Sequence, residues 1–147
     1  MTYFQKRKPI LCLDFDGVIH SYTSGWKGAT VIPDPPVPGA IDAMLRYVEA
    51  GFDVAIYSSR SKNPFARWAM KRWLTREIGK WWKNGGHMPT YLVEAECMGD
   101  AKSAVHYFKW PWFKPSAMVT IDDRALTFTG EWPAPGTIRQ FKPWNKP

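Results

Sequence analysis

The stretch Ile10–Val18, "ILCLDFDGV", decides how the rest of the chain is read. A short apolar run, entered after Pro9 and halted by Asp16-Gly17, has the length and composition of a buried strand. It delivers Asp14 and Asp16, one residue apart, at its end. Carboxylates this close repel, which leaves a solvated turn, a metal site or a catalytic dyad as readings. The other acids and hydroxyls of the chain must choose among them.

Working outward, residues 20–39 are rich in Gly, Pro and Ser and carry no sustained period. They form a flap-like excursion, and loops of this length inside a compact domain are usually functional. Ile41, Met44, Leu45 and Val48 fall at i, i+3, i+4 and i+7, which predicts an amphipathic helix over residues 39–50 closed by Gly51. "FDVAIYSS" (52–59) reads as a second strand. Asn63-Pro64 then supplies an N-cap and a first-turn proline for a helix running to about Lys83. Met70, Trp73, Leu74, Ile78 and Trp81 make its apolar stripe, while Arg72, Arg76, Lys80 and Lys83 share another face. "TYLVEA" (90–95) is a third strand, "DAKSAVHYF" (100–108) a helix, "AMVTI" (117–121) a fourth strand and "TIRQF" (137–141) one more strand-like piece. Strands alternating with helices imply right-handed crossovers and an α/β fold. The expected architecture is three-layer α/β/α and Rossmann-like, a mainly parallel sheet covered on both faces.

At 147 residues the chain is most simply one domain, 1–147, long enough to bury a core without staples. Its two cysteines, Cys12 and Cys97, form no CxxC or Cys/His cluster. Neither a disulfide framework nor a structural zinc site is expected. The N-terminal "MTYFQKRKPI" lacks the long apolar segment that export requires. Charge or proline interrupts every apolar run before membrane-spanning length. A cytoplasmic protein with no membrane partner is the expectation. Twenty Lys and Arg against thirteen Asp and Glu give a net charge of +7. That field draws nucleotides, nucleic acid or other phosphates without choosing between them. Nine tryptophans, several beside Lys or Arg as in "KRWLTREIGKWWK" (71–83), suit base stacking as well as core packing.

Three strand candidates end in reactive groups: Asp14 and Asp16, Ser58 and Ser59, Asp122 and Asp123. Open parallel sheets bind ligands beyond the carboxyl ends of their strands, where strand order reverses. If these strands are neighbours, the groups converge, and four carboxylates together require a neutralising cation. Mg²⁺ suits a site of hard oxygen ligands without His or Cys. A carboxylate can also attack phosphorus, forming an aspartyl-phosphate.

The order "DFDGV", "IYSSR", a lysine, then "IDDRA" resembles the four motifs of the haloacid dehalogenase superfamily, mostly Mg²⁺-dependent phosphatases. The resemblance spans about Ile10 to Arg124. The tail, with "FTGEWP" and "FKPWN", looks like that of small capless members carried by phages and bacteria. The resemblance implies a minimal or absent cap and assigns roles. Asp14 would be the nucleophile and a Mg²⁺ ligand. Asp16 would be the general acid and then base, with its backbone carbonyl on the metal. Ser58 would hydrogen-bond the transferring phosphoryl group, with Ser59 as its rival, and Asp122 and Asp123 would complete the metal site. Lys114, before Pro115, would be the motif lysine, with Lys102 the alternative. An acid at position 16 points to phosphoryl transfer rather than carbon–halogen cleavage.

Trp26 and Lys27 in the excursion are candidate substrate contacts. Arg60 and Arg124 could bind phosphate or hold the acids together as salt bridges. The expected activity is hydrolysis of a phosphomonoester, on a nucleotide or a nucleic-acid terminal phosphate. The rival from another class is a basic nucleic-acid-binding protein whose acidic site is vestigial. A receiver-like phosphoacceptor domain fits less well, because the order of its acids and lysine differs.

Overall fold

The computed structural model describes residues 6–87 and 104–146. β1 (Ile10–Leu13) is the centre of an open, parallel, three-stranded sheet, between β2 (Asp53–Ile56) and β3 (Val119–Ile121). Cys12 lies opposite Ala55 on one side and Thr120 on the other. Lys109 adds a single parallel bridge to the outer edge of β2 at Ala55. The chain passes from β1 to β2 and later returns to the opposite side as β3. Strand order therefore reverses at β1, the place where open parallel sheets bind ligands beyond the carboxyl ends of their strands. This is a mixed α/β fold.

Leu11 and Leu13 of β1 join one hydrophobic core with Val54 and Ile56 of β2. α1 (Ala40–Glu49) contributes Ile41, Met44 and Leu45 to it. α2 (Pro64–Lys83) contributes Met70, Trp73, Leu74 and Ile78, the buried stripe its spacing predicts. The Asn63 side chain accepts hydrogen bonds from Phe65 N and Ala66 N, so the helix starts where the cap and Pro64 place it. Gly51, at φ +95°, follows α1 in a conformation that favours glycine.

Two expectations are corrected. "TIRQF" is not a strand: residues 135–139 form the short helix α3 (Pro135–Arg139), in which Pro135 fixes the first-turn φ. The sheet is not covered on both faces at its β3 edge, where Val119 and Ile121 are 48% and 37% exposed. The expected strand "TYLVEA" and Lys102 lie outside the described residues, as does the start of the helix expected over 100–108. Among the described residues no helix is long and apolar enough to cross a membrane.

The excursion over 20–39 is tied down rather than free. Ser21 N donates to Pro35 O and Val37 N to Ile19 O. Asp34 accepts from both Ser24 N and Ser24 Oγ, which closes the loop on itself.

Candidate active site

β1 ends at Leu13, and Asp14 N donates to Ile121 O at 3.0 Å, which fastens the end of β1 to the end of β3. The next residues on the β3 side are Asp122 and Asp123, so topology brings the three acids to one place. Carboxylate oxygens of Asp14, Asp122 and Asp123 lie within 4.8 Å of one another. Asp14 accepts from Phe15 N at 2.8 Å, and Asp122 accepts from Arg124 N across a tight turn.

Gly17 makes this approach sterically feasible. Its φ is +86°, and a Cβ there would stand 2.2 Å from Asp123 Oδ2. The side chain of Asp123 is only 2% exposed, and its Oδ1 is buried without a hydrogen-bond partner. Burial, then the charge of Asp122, pushes Asp14 up to about 8, and its hydrogen bond with Asp123 acts in the same direction. Asp123 is raised as well, chiefly by burial. Carboxyls that hold a proton against their nature, beside an orphaned buried oxygen, are the donor set a hard divalent cation would satisfy. Asp14, Asp122 and Asp123 fit Mg²⁺.

Asp16 sits in a different setting. Its Oδ2 accepts from Arg60 Nε at 2.9 Å, and its Oδ1 from His20 Nδ1 at 2.8 Å. Burial alone would raise it, but these two partners hold it below the usual carboxylate range. His20 is fully buried, and its Nε2 accepts from Asp34 N at 3.1 Å, which leaves Nδ1 as the donor to Asp16. The ring stacks on Phe15 and meets Trp73 edge-on. A carboxylate stabilised in this way stays ionised and is a weak base. As a general acid, Asp16 must first take up a proton that Arg60 and His20 oppose. Its carboxylate is not part of the three-acid group, so only the backbone carbonyl remains for the metal role expected of it.

Of the two readings of Arg60, the structure shows the salt bridge. It is 1% exposed; besides Asp16 it donates to Gly28 O and Ala29 O at 2.8 and 2.7 Å, and it stacks on Trp26 with 4.5 Å from Cζ to the ring centroid. Its guanidinium binds the excursion to the site, leaving little of it for a ligand. Trp26 and Lys27 are thereby held at the rim, exposed. Ser58 is buried and caps the 3-10 turn Ser59–Lys62: its Oγ accepts from Arg60 N, and Ser61 Oγ accepts from Ser58 N. This capping uses an oxygen lone pair of Ser58 and spares its hydroxyl proton for donation. Ser59 is exposed. Lys114 is exposed and makes no ion pair among the described residues. Burial raises the Cys12 thiol, and the charge of Lys114 opposes that from beside β1.

From the sequence, neither His20 nor Asp34 was assigned a role. The signal for His20 was its i+4 spacing from Asp16, whereas nothing local marks Asp34. The tail was also missed. Trp144 Nε1 donates to Gly17 O at 2.8 Å and Asn145 Nδ2 to Ser21 O at 3.0 Å, latching the C-terminal segment onto the loop above the acids. Comparison of the chain with protein-family models, curated proteins and solved structures finds no match.

Proposed function

We propose that this chain is a Mg²⁺-dependent phosphomonoester hydrolase of the haloacid dehalogenase type, built on a Rossmann-like sheet. The observation that carries the reading is the meeting of Asp14, Asp122 and Asp123 at the strand-order reversal, with Asp123 Oδ1 buried and unpartnered. The motif order around these residues supports it independently. Bound Mg²⁺ supplies the positive charge that lets an anionic phosphoryl group approach three carboxylates.

Asp14 attacks phosphorus in line. The bond to the leaving oxygen breaks with its electron pair, giving an aspartyl-phosphate. Water then attacks that phosphorus, gives its proton to Asp16 and displaces the Asp14 oxygen, releasing inorganic phosphate. The proton Asp16 gains is the one it returns to the leaving oxygen of the next cycle, so the two steps balance. The Ser58 hydroxyl keeps its proton free and would donate to a phosphoryl oxygen, whereas the Arg60 and Ser61 amides are already committed to Ser58. Lys114, exposed and in no ion pair among the described residues, is the least constrained of the assigned groups.

The test is hydrolysis of p-nitrophenyl phosphate with Mg²⁺. Turnover lost to chelator and absent in D14N is expected. Activity that persists in D14N, or without any divalent ion, refutes the reading.

A further inference from the structure

The side of α2 turned away from the buried stripe carries an aromatic and cationic surface that the acidic site does not use. A groove of about 480 Å³ runs along it, lined among others by Trp68, Lys71, Arg72, Arg76, His106 and Trp110. That volume falls within the roughly 300–1,000 Å³ of small-ligand sites. Trp68 is 60% exposed, and Arg72 lies 5.0 Å from its ring centroid. Lys71 lies 5.7 Å from the ring of Trp110. One step further, Arg67 stacks on Trp112 at 3.8 Å and donates to Pro111 O, fixing the loop after Lys109 against the helix. None of the described residues lining the groove is acidic. Burial lowers Lys71, and the charge of Arg67 adds to that, so the cations are crowded, with no ion pair to Lys71, Arg72 or Arg76 among the described residues.

We propose that this face binds single-stranded nucleic acid, with bases stacked on Trp68, Trp110 and Trp112 and phosphates held by Lys71, Arg72 and Arg76. Each tryptophan is paired with a cation on the same surface, the combination that takes a base face and a backbone phosphate together. Duplex hides the base faces and leaves the rings without a partner. An acidic peptide satisfies the charges but not three exposed or half-exposed indoles. The net charge of +7 favours the same polyanion. α2 starts directly after the turn that carries Ser58 and Arg60, and Arg60 is bonded to Asp16, so the first turn of the helix marks the side from which a strand in the groove would reach the acids. That last step, delivery of a terminal phosphate to Asp14, rests on the phosphatase reading; binding to the groove does not.

The experiment is fluorescence anisotropy of a labelled, unphosphorylated 12-nucleotide single strand, titrated with full-length protein in EDTA. Micromolar binding that weakens steeply with salt is expected, with quenching of tryptophan emission. W68A and R72A/R76A are each expected to weaken it fivefold or more, while R46A/K8A, which removes two exposed charges elsewhere, changes it less than twofold. All variants must melt as the wild type does, since the substituted side chains are exposed or stand at the surface. Absence of binding by the wild type overturns the proposal. So does equal loss in R46A/K8A and R72A/R76A, or preference for duplex or for poly-glutamate over the single strand. If the strand binds but p-nitrophenyl phosphate is not hydrolysed, the phosphatase reading fails and the groove stands. If p-nitrophenyl phosphate is hydrolysed and the strand does not bind, the groove fails alone.

Discussion

Asp14 and Asp16 are separated by one residue, and their surroundings are opposite. Asp14 faces two more carboxylates across the end of the sheet and is pushed up to about 8. Asp16 faces a buried guanidinium and an imidazole and is held low. One region is short of positive charge, and the other carries its own cation within the chain. Arg60 does for Asp16 what Mg²⁺ would do for the three-acid group. A carboxylate pair in sequence is therefore not one site electrostatically: one member lies among acids that raise it, the other against Arg60 and His20, which hold it low.

The sharpest way to break this contrast is to substitute the two acids separately. D14N is expected to lower phosphatase turnover by about three orders of magnitude or more, as removal of a nucleophile does. It is also expected to raise the metal-free melting temperature, because it relieves repulsion among the acids. D16N should do the reverse to stability, since it leaves Arg60 buried without its carboxylate. Loss of one partner of a buried pair costs about 3–5 kcal/mol. R60A is expected in the same range, measured by urea unfolding, whereas R124A should fall within about 0.5 kcal/mol because Arg124 is exposed and only 3.9 Å from its acid at best. Similar values for R60A and R124A would remove the distinction between the regions.

G17A sharpens the contrast from the steric side. A methyl at Gly17 meets Asp123 Oδ2 at 2.2 Å and sits at φ +86°. The strain is expected to cost about 1–3 kcal/mol. The displaced Asp123 should also weaken Mg²⁺ affinity, read by calorimetric titration. A G17A protein that binds Mg²⁺ as the wild type does would show that the close approach has no bearing on the site.

The pH dependence separates the regions again. The folded protein holds a proton on Asp14 up to about pH 8, whereas the unfolded chain releases it near the ordinary aspartate value. Between those limits the native state binds more protons, so the contribution of this cluster to stability falls as pH rises through that window. Asp16 acts with the opposite sign: its contribution is present above the unfolded value and is lost as pH falls through its lowered native value. Thermal melts of metal-free D16N and D14N across pH 4–9 read the two slopes, and saturating Mg²⁺ is expected to flatten the one due to the cluster. The smallest effect concerns the tail. W144A removes the hydrogen bond to Gly17 O and should cost about 1 kcal/mol.

The regions also differ in how far the sequence announced them. The β1 strand, the α1 and α2 helices, their caps and their buried stripes follow from periodicity, Asn63-Pro64 and Gly51, because those signals are local. The convergence of Asp14 with Asp122 and Asp123 was reachable by assuming neighbouring strands, since acids at the ends of parallel strands meet whenever the strands are adjacent. Of the Asp16 network only His20, four residues on, carried a local signal. Arg60 comes from a turn after β2, and no periodicity links Asp34 to His20 or Gly28 to Arg60. "TIRQF" carries β-branched and aromatic residues and still contributes to a helix, because Pro135 fixes the first-turn φ there and outweighs propensity.

Calorimetric titration of Mg²⁺ into the chelator-stripped protein near pH 7.5 bears most directly on the cluster. One ion per chain should bind, with affinity abolished in D14N and D123N and retained in R46A. Failure to saturate at millimolar Mg²⁺, or binding that is indifferent to D123N, would contradict the assignment of the three acids to a cation.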